Sequence, residues 1–97
     1  MDTFTLFLAL RPEQPLDDDG VDALSAALRP GDDDLRIWRE EGRGLLRVAT
    51  EGSAVDLETA LGLAQALGAE ALARCPGQLL EVSAMGDEDS LVWRAVP

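Results

Sequence analysis

The sequence predicts an α+β two-layer sandwich in the order strand, helix, strand, strand, helix, strand, with one further strand near the C-terminus. Three observations carry this prediction. Residues 3 to 10 alternate between two faces, and residues 57 to 72 carry an apolar stripe at helical spacing. Two short alternating runs flank Glu41-Gly42-Arg43-Gly44, which reads as a β-hairpin.

In the first strand, Phe4, Leu6, Leu8 and Leu10 share one face, and Thr5, Phe7 and Ala9 share the other. Pro12 and Pro15 interrupt the run. Asp17-Asp18-Asp19-Gly20 then places carboxylates where a helix start has unsatisfied N–H groups, so a helix should begin near Asp19. Val21, Leu24 and Leu28 recur at helical spacing, and Pro30-Gly31 should stop this short helix. Leu35 and Ile37 alternate with Arg36 and Trp38, and Leu46 and Val48 alternate with Leu45, Arg47 and Ala49, forming the two arms of the hairpin.

Ser53 and Asp56 have the spacing of a capping box, opening a second helix that runs towards Arg74. Its stripe comprises Leu57, Ala60, Leu61, Ala64, Leu67, Gly68, Ala71 and Leu72. Gly68 lies within the stripe, where a missing side chain allows close approach to a strand, and Gly62 lies outside it and should only weaken the helix. Pro76-Gly77 ends the helix. Leu79 to Met85 follows as a fourth strand, with Leu80, Val82 and Ala84 opposing Leu79, Glu81 and Ser83. Gly86-Asp87-Glu88-Asp89 makes a turn, and Leu91 to Val96 is expected to return antiparallel beside the fourth strand as an edge strand.

The first six elements match two split βαβ units, so the expected architecture is a ferredoxin-like βαββαβ sandwich in a single domain, 1-97. Two helices cover one face of such a sheet. The core side should hold Phe4, Leu6, Leu8, Leu35, Ile37, Leu46, Val48, Leu80 and Val82. The open side then carries Phe7, Trp38 and Leu45 at its centre, flanked by Arg36 and Arg47, together with Leu79 and Met85. That face is too apolar for a purely solvated surface and is the candidate interaction site. The alternative is that the C-terminal strand or a loop folds over Phe7 and Trp38, or that these residues are scattered. In element order and length the chain resembles proteins of the dimeric α+β barrel type, in which two open sheets pack together; that resemblance implies a homodimer and carries no activity with it.

Composition narrows the functional classes. The chain has 97 residues, 46% of them hydrophobic and 28% charged, with a formal net charge of -11 and no histidine. Its basic residues are all arginine, a bias that resembles coding from a high-GC bacterial genome. The negative charge opposes binding to nucleic acid or to an anionic membrane surface. Phe7 and Trp38 beside Arg36 and Arg47 are similar to the aromatic sheet face of an RNA-recognition motif, but no stretch fits its basic, glycine-containing signature. The start Met1-Asp2-Thr3 lacks the basic segment of a signal peptide, apolar runs are short, and the lone Cys75 cannot form an internal disulfide, so a cytoplasmic location is expected.

Without histidine the usual neutral-pH general base and the Ser-His-Asp and Cys-His arrangements are missing, which disfavours an enzyme while leaving carboxylate or thiol chemistry open. Cys75 follows a helix C-terminus, whose negative dipole end hinders thiolate formation. Asp17-Asp18-Asp19 and Asp32-Asp33-Asp34 lack the alternating spacing and terminal glutamate of a calcium loop and read as solvated turns and caps. No catalytic, metal or cofactor residue is expected. The leading expectation is a non-enzymatic domain that self-associates or binds a protein through its open sheet face. The alternatives are an acidic inhibitor or immunity- or antitoxin-like protein masking a basic partner, and a small-ligand sensor or enzyme of the dimeric α+β barrel type, for which no sequence feature speaks.

Overall fold

Five antiparallel strands form one sheet in the order β2-β3-β1-β4-β5, covered on one face by two helices. This is a computed structural model, and it describes residues 2–28 and 35–95. The elements are β1 (Asp2–Pro12), α1 (Asp18–Leu28), β2 (Arg36–Glu40), β3 (Leu45–Ala54), α2 (Leu57–Arg74), β4 (Gly77–Met85) and β5 (Ser90–Arg94). A short 3-10 turn, Glu41–Arg43, joins β2 to β3. Pro30-Gly31, Asp32-Asp33-Asp34 and Val96, each given a role above, lie outside the described residues. Among the described residues, no helix is long and apolar enough to cross a membrane.

Long β1 occupies the centre, paired with β3 on one side and β4 on the other. β3 therefore lies between β1 and β2, and β1 lies between β3 and β4, so each helix connects two strands separated by a third. β5 pairs antiparallel with β4 and closes the sheet at its edge. The core forms where Phe4, Leu6, Leu8 and Leu10 of β1 meet Leu46 and Val48 of β3, Val82 and Ala84 of β4, and the helical residues Leu24, Leu28, Ala60, Ala64, Leu67 and Ala71. The small side chains of α2 bring that helix close to the sheet. Leu57, Leu61 and Leu72 of the predicted stripe pack at its margin.

Both helix starts are made by aspartates. The Gly20 N–H donates to Asp17 Oδ1 at 2.8 Å, and Asp18 pairs with Arg39 at 2.6 Å, so two carboxylates of the Asp17-Asp18-Asp19 run serve the start of α1. Arg39 also donates to the Leu16 carbonyl at 3.1 Å, which ties the β1–α1 connection to β2. The capping box expected at Ser53 does not form. Ser53 is paired with Thr3 inside β3, and the N-cap of α2 is Asp56, whose Oδ1 accepts from the Thr59 N–H at 2.8 Å.

One irregularity changes a face assignment. Between Ala9 and Leu10 the β1–β4 register shifts, so that Ala9 pairs with Glu81, Leu10 pairs with Leu79, and Leu80 has no partner on β1. This is a β-bulge, an extra residue in one strand that reverses the alternation beyond it. Leu79 consequently lies on the helix side: its Cδ2 is 2.9 Å from where a Cβ on Gly68 would sit. The expectation of Leu79 on the open side and Leu80 in the core is corrected by this bulge. The close approach expected of Gly68 is to Leu79.

Candidate functional site

The face of the sheet opposite the helices is the candidate site. Residues paired across antiparallel strands share a face, so the registers assign it residue by residue. Level with Ala9 the open face reads Trp38, Arg47, Ala9, Glu81 and Arg94 from β2 to β5. Level with Phe7 it reads Arg36, Ala49, Phe7, Ser83 and Val92, and level with Thr5 it reads Glu51, Thr5, Met85 and Ser90. Glu40 stands opposite Leu45 at the far end of the β2–β3 ladder, and Arg11 opposite Gln78 at the end of the β1–β4 ladder.

Six of the seven expected residues, Phe7, Arg36, Trp38, Leu45, Arg47 and Met85, therefore lie on this face, and Leu79 does not. Their exposure differs. Trp38 is 43% exposed, Met85 47% and Val92 49%, whereas Leu45 is buried at 4% and Phe7 is half-buried. The C-terminal strand extends the sheet beside β4 and does not fold over Phe7 and Trp38. Phe7, Ala9, Trp38, Arg47 and Glu81 line a shallow depression of about 250 Å³ around the small Ala9 side chain.

Two pairs of opposite charges on this face bond within the chain. Arg47 Nε donates to Glu40 Oε2 at 2.7 Å, and Arg94 Nε donates to Glu81 Oε2 at 3.3 Å. The hydrogen bond from Arg47 holds the Glu40 carboxyl below the usual glutamate value against a desolvation effect that raises it, and the nearby Arg47 and Arg43 charges act in the same direction as the bond. The face carries Arg11, Arg36, Arg47 and Arg94 against Glu40, Glu51 and Glu81, so it is close to neutral in a chain whose net charge is -11. The excess negative charge lies elsewhere, including Asp17 to Asp19 and Asp22 around α1, Glu58 and Glu70 on α2, and Asp87 to Asp89 in the β4–β5 turn.

Val92, Arg94 and Glu40 escaped the sequence reading of the site. The first two lie on the last strand, whose place beside β4 was expected but whose register, and so whose faces, only the tertiary pairing fixes, while Glu40 continues the alternation of Arg36 and Trp38 by one step, a signal that was present. Cys75 forms the C-cap of α2, its N–H bonded to the Ala71 carbonyl, and burial pushes its thiol pKa up. Among the described residues, no group of three or more His, Cys, Asp or Glu side chains is placed to hold a metal ion. Comparison of the chain with known proteins matches no family model, no curated protein and no solved structure.

Proposed function

We propose that the chain is a ferredoxin-like, non-enzymatic interaction domain that associates with a second copy of itself through the open face of its sheet. The observation that carries this reading is the combination on one face of exposed apolar side chains with balanced charge, in a protein that is otherwise strongly acidic. Two copies carrying -11 each repel one another, and the sheet face is the surface on which they meet with least repulsion. Apolar area there supplies the attraction, at about 25 cal/mol per Å² removed from water.

Size supports the same reading. The five strands hold about 40 residues, which at strand spacings of about 4.8 Å and 3.3 Å per residue project to about 600 Å². A standard interface uses about 800 Å² of accessible surface on each partner, a comparable area once side-chain relief is included. The ferredoxin-like label rests on the β2-β3-β1-β4 order with both crossovers on one face, to which β5 is added at the edge.

Sedimentation velocity over a wide concentration range tests the proposal. The expected result is conversion from the mass of one chain to twice that mass, with Trp38→Ser weakening association by about 2 kcal/mol, roughly 30-fold in Kd, as removal of a central interface aromatic does. Trp38 lies outside the core cluster, so the variant should melt like the parent. A single-chain mass at every concentration would overturn self-association. The acidic surfaces would then be the place to look for a basic partner.

A further inference from the structure

The row level with Ala9 differs on its two sides. Towards β2 it presents an indole and a guanidinium, Trp38 and Arg47, and towards β5 a carboxylate and a guanidinium, Glu81 and Arg94. Self-association of two such rows is sensitive to the direction of the symmetry axis, because each orientation sets different groups against one another.

Resting on the self-association proposed above, we infer that the two copies are related by a two-fold axis running along β1 in the plane between the sheets, with Arg47 and Glu81 as the residues that select this arrangement. Such an axis exchanges β3 with β4 and β2 with β5 across the interface. Arg47 of one copy then faces Glu81 of the other, Trp38 faces Arg94 in position for a cation–π contact, and Phe7 meets its own counterpart near the axis. Aligned sheet packing keeps strand directions within about 30°, so residues near the centre of the face stay opposite these partners.

The competing directions satisfy the charges less well. An axis across the strands through Ala9 sets Arg47 against Arg47 and Glu81 against Glu81. An axis across the strands through Phe7 exchanges the Ala9 and Thr5 levels, so Arg47 gains Glu51 while Glu81 is buried against Met85 with no cation opposite. The axis along β1 alone gives Arg47 and Glu81 opposite charges and sets Arg94 against an indole; in it Glu51 faces Met85, as Glu81 does about the Phe7 axis, but Arg36 faces Val92 instead of its own copy. The internal pairs do not prevent this, since the Glu40 bond uses Arg47 Nε and a guanidinium carries five N–H donors.

Charge reversal in the full chain tests the inference, read by sedimentation and by native mass spectrometry of mixtures. Arg47→Glu and Glu81→Arg are each expected to weaken homodimerisation about a hundredfold, because each creates two like-charge contacts. Mixing the two variants should restore a dimer of mixed composition, and Arg47→Glu/Glu81→Arg should dimerise by itself. If Arg47→Glu loses its melting transition because the introduced carboxylate stands beside Glu40, Arg47→Gln and Glu81→Gln take its place in a double-mutant cycle; a double variant no weaker than either single one is expected, and additive losses overturn the inference. Wild-type-like dimers from both reversed variants, or rescue of Arg47→Glu by Glu51→Arg in place of Glu81→Arg, would overturn this axis and leave self-association standing. A wild-type chain that never dimerises would overturn both.

Discussion

Replacing Gly77 with alanine should destabilise the fold more than an ordinary glycine substitution in a strand. A Cβ built on Gly77 collides with the Arg11 carbonyl oxygen and lies 2.8 Å from Pro12 Cα and 3.0 Å from the Arg11 carbonyl carbon. All three are backbone atoms, so no rotamer change relieves the contact. Ordinary van der Waals separation begins near 3.4 Å, so the start of β4 must withdraw from β1 by roughly 1 Å. That movement strains the Pro12–Gly77 and Arg11–Gln78 pairings and the 2.9 Å bond from the Glu13 N–H to the Pro76 carbonyl. Two or three hydrogen bonds at about 1 kcal/mol each, with the accompanying loss of packing, give an expected cost of about 2–4 kcal/mol. In a domain of this size each kcal/mol moves Tm by about 4–8 °C, so Gly77→Ala should melt more than about 10 °C below the parent by circular dichroism. A variant within about 0.5 kcal/mol of the parent in urea would refute the close approach of these strands.

Three other substitutions probe separate parts of the fold. A Cβ at Gly62 meets nothing within 4 Å on the exposed side of α2, so Gly62→Ala should stabilise the chain by about 0.5–1 kcal/mol in urea denaturation. Thr50 is 2% exposed and its Oγ1 has no hydrogen-bond partner among the described residues, so Thr50→Val, which keeps the shape and removes the hydroxyl, should raise stability by about 1 kcal/mol in the same assay. The Thr59 hydroxyl and N–H hold the Asp56 carboxyl below the usual aspartate value, so its stabilising contribution is complete above the unfolded-chain pKa of about 4 and is lost as pH falls through the lower folded value. Asp56→Asn, which caps a helix without titrating, should melt like the parent at neutral pH and lose less stability on acidification; identical acid profiles would contradict the cap.

Elements whose signal is local were legible in the sequence. The β1 alternation placed Phe4, Leu6, Leu8 and Leu10 in the core, and every residue of the predicted α2 stripe packs in or against it. What was missed depended on pairing between distant residues. Ser53 reads as a helix cap because its spacing to Asp56 imitates one, yet β3 continues through it because β1 offers Thr3 as a partner. Leu79 turns to the helix side and Leu80 leaves the core because the register shift between Ala9 and Leu10 reverses the alternation, and a period-two pattern in a single strand contains no mark of an unpaired residue. The open face itself was readable for β1, β2 and β3. On β4 the alternation placed Met85 correctly and failed at Leu79 for want of the bulge, and on β5 the register was missing, which is why Arg94 and Val92 entered the site only with the tertiary structure.

Fluorescence quenching of Trp38 by acrylamide in a Trp93→Phe background tests the central claim most directly, because Trp38 is then the only indole and sits 43% exposed on the open face of a single chain. The quenching constant should fall severalfold over the same concentration range in which the mass doubles, since a tryptophan inside a well-packed interface excludes the quencher. A doubling of mass with the Trp38 quenching constant unchanged would place the contact on another surface and contradict the account.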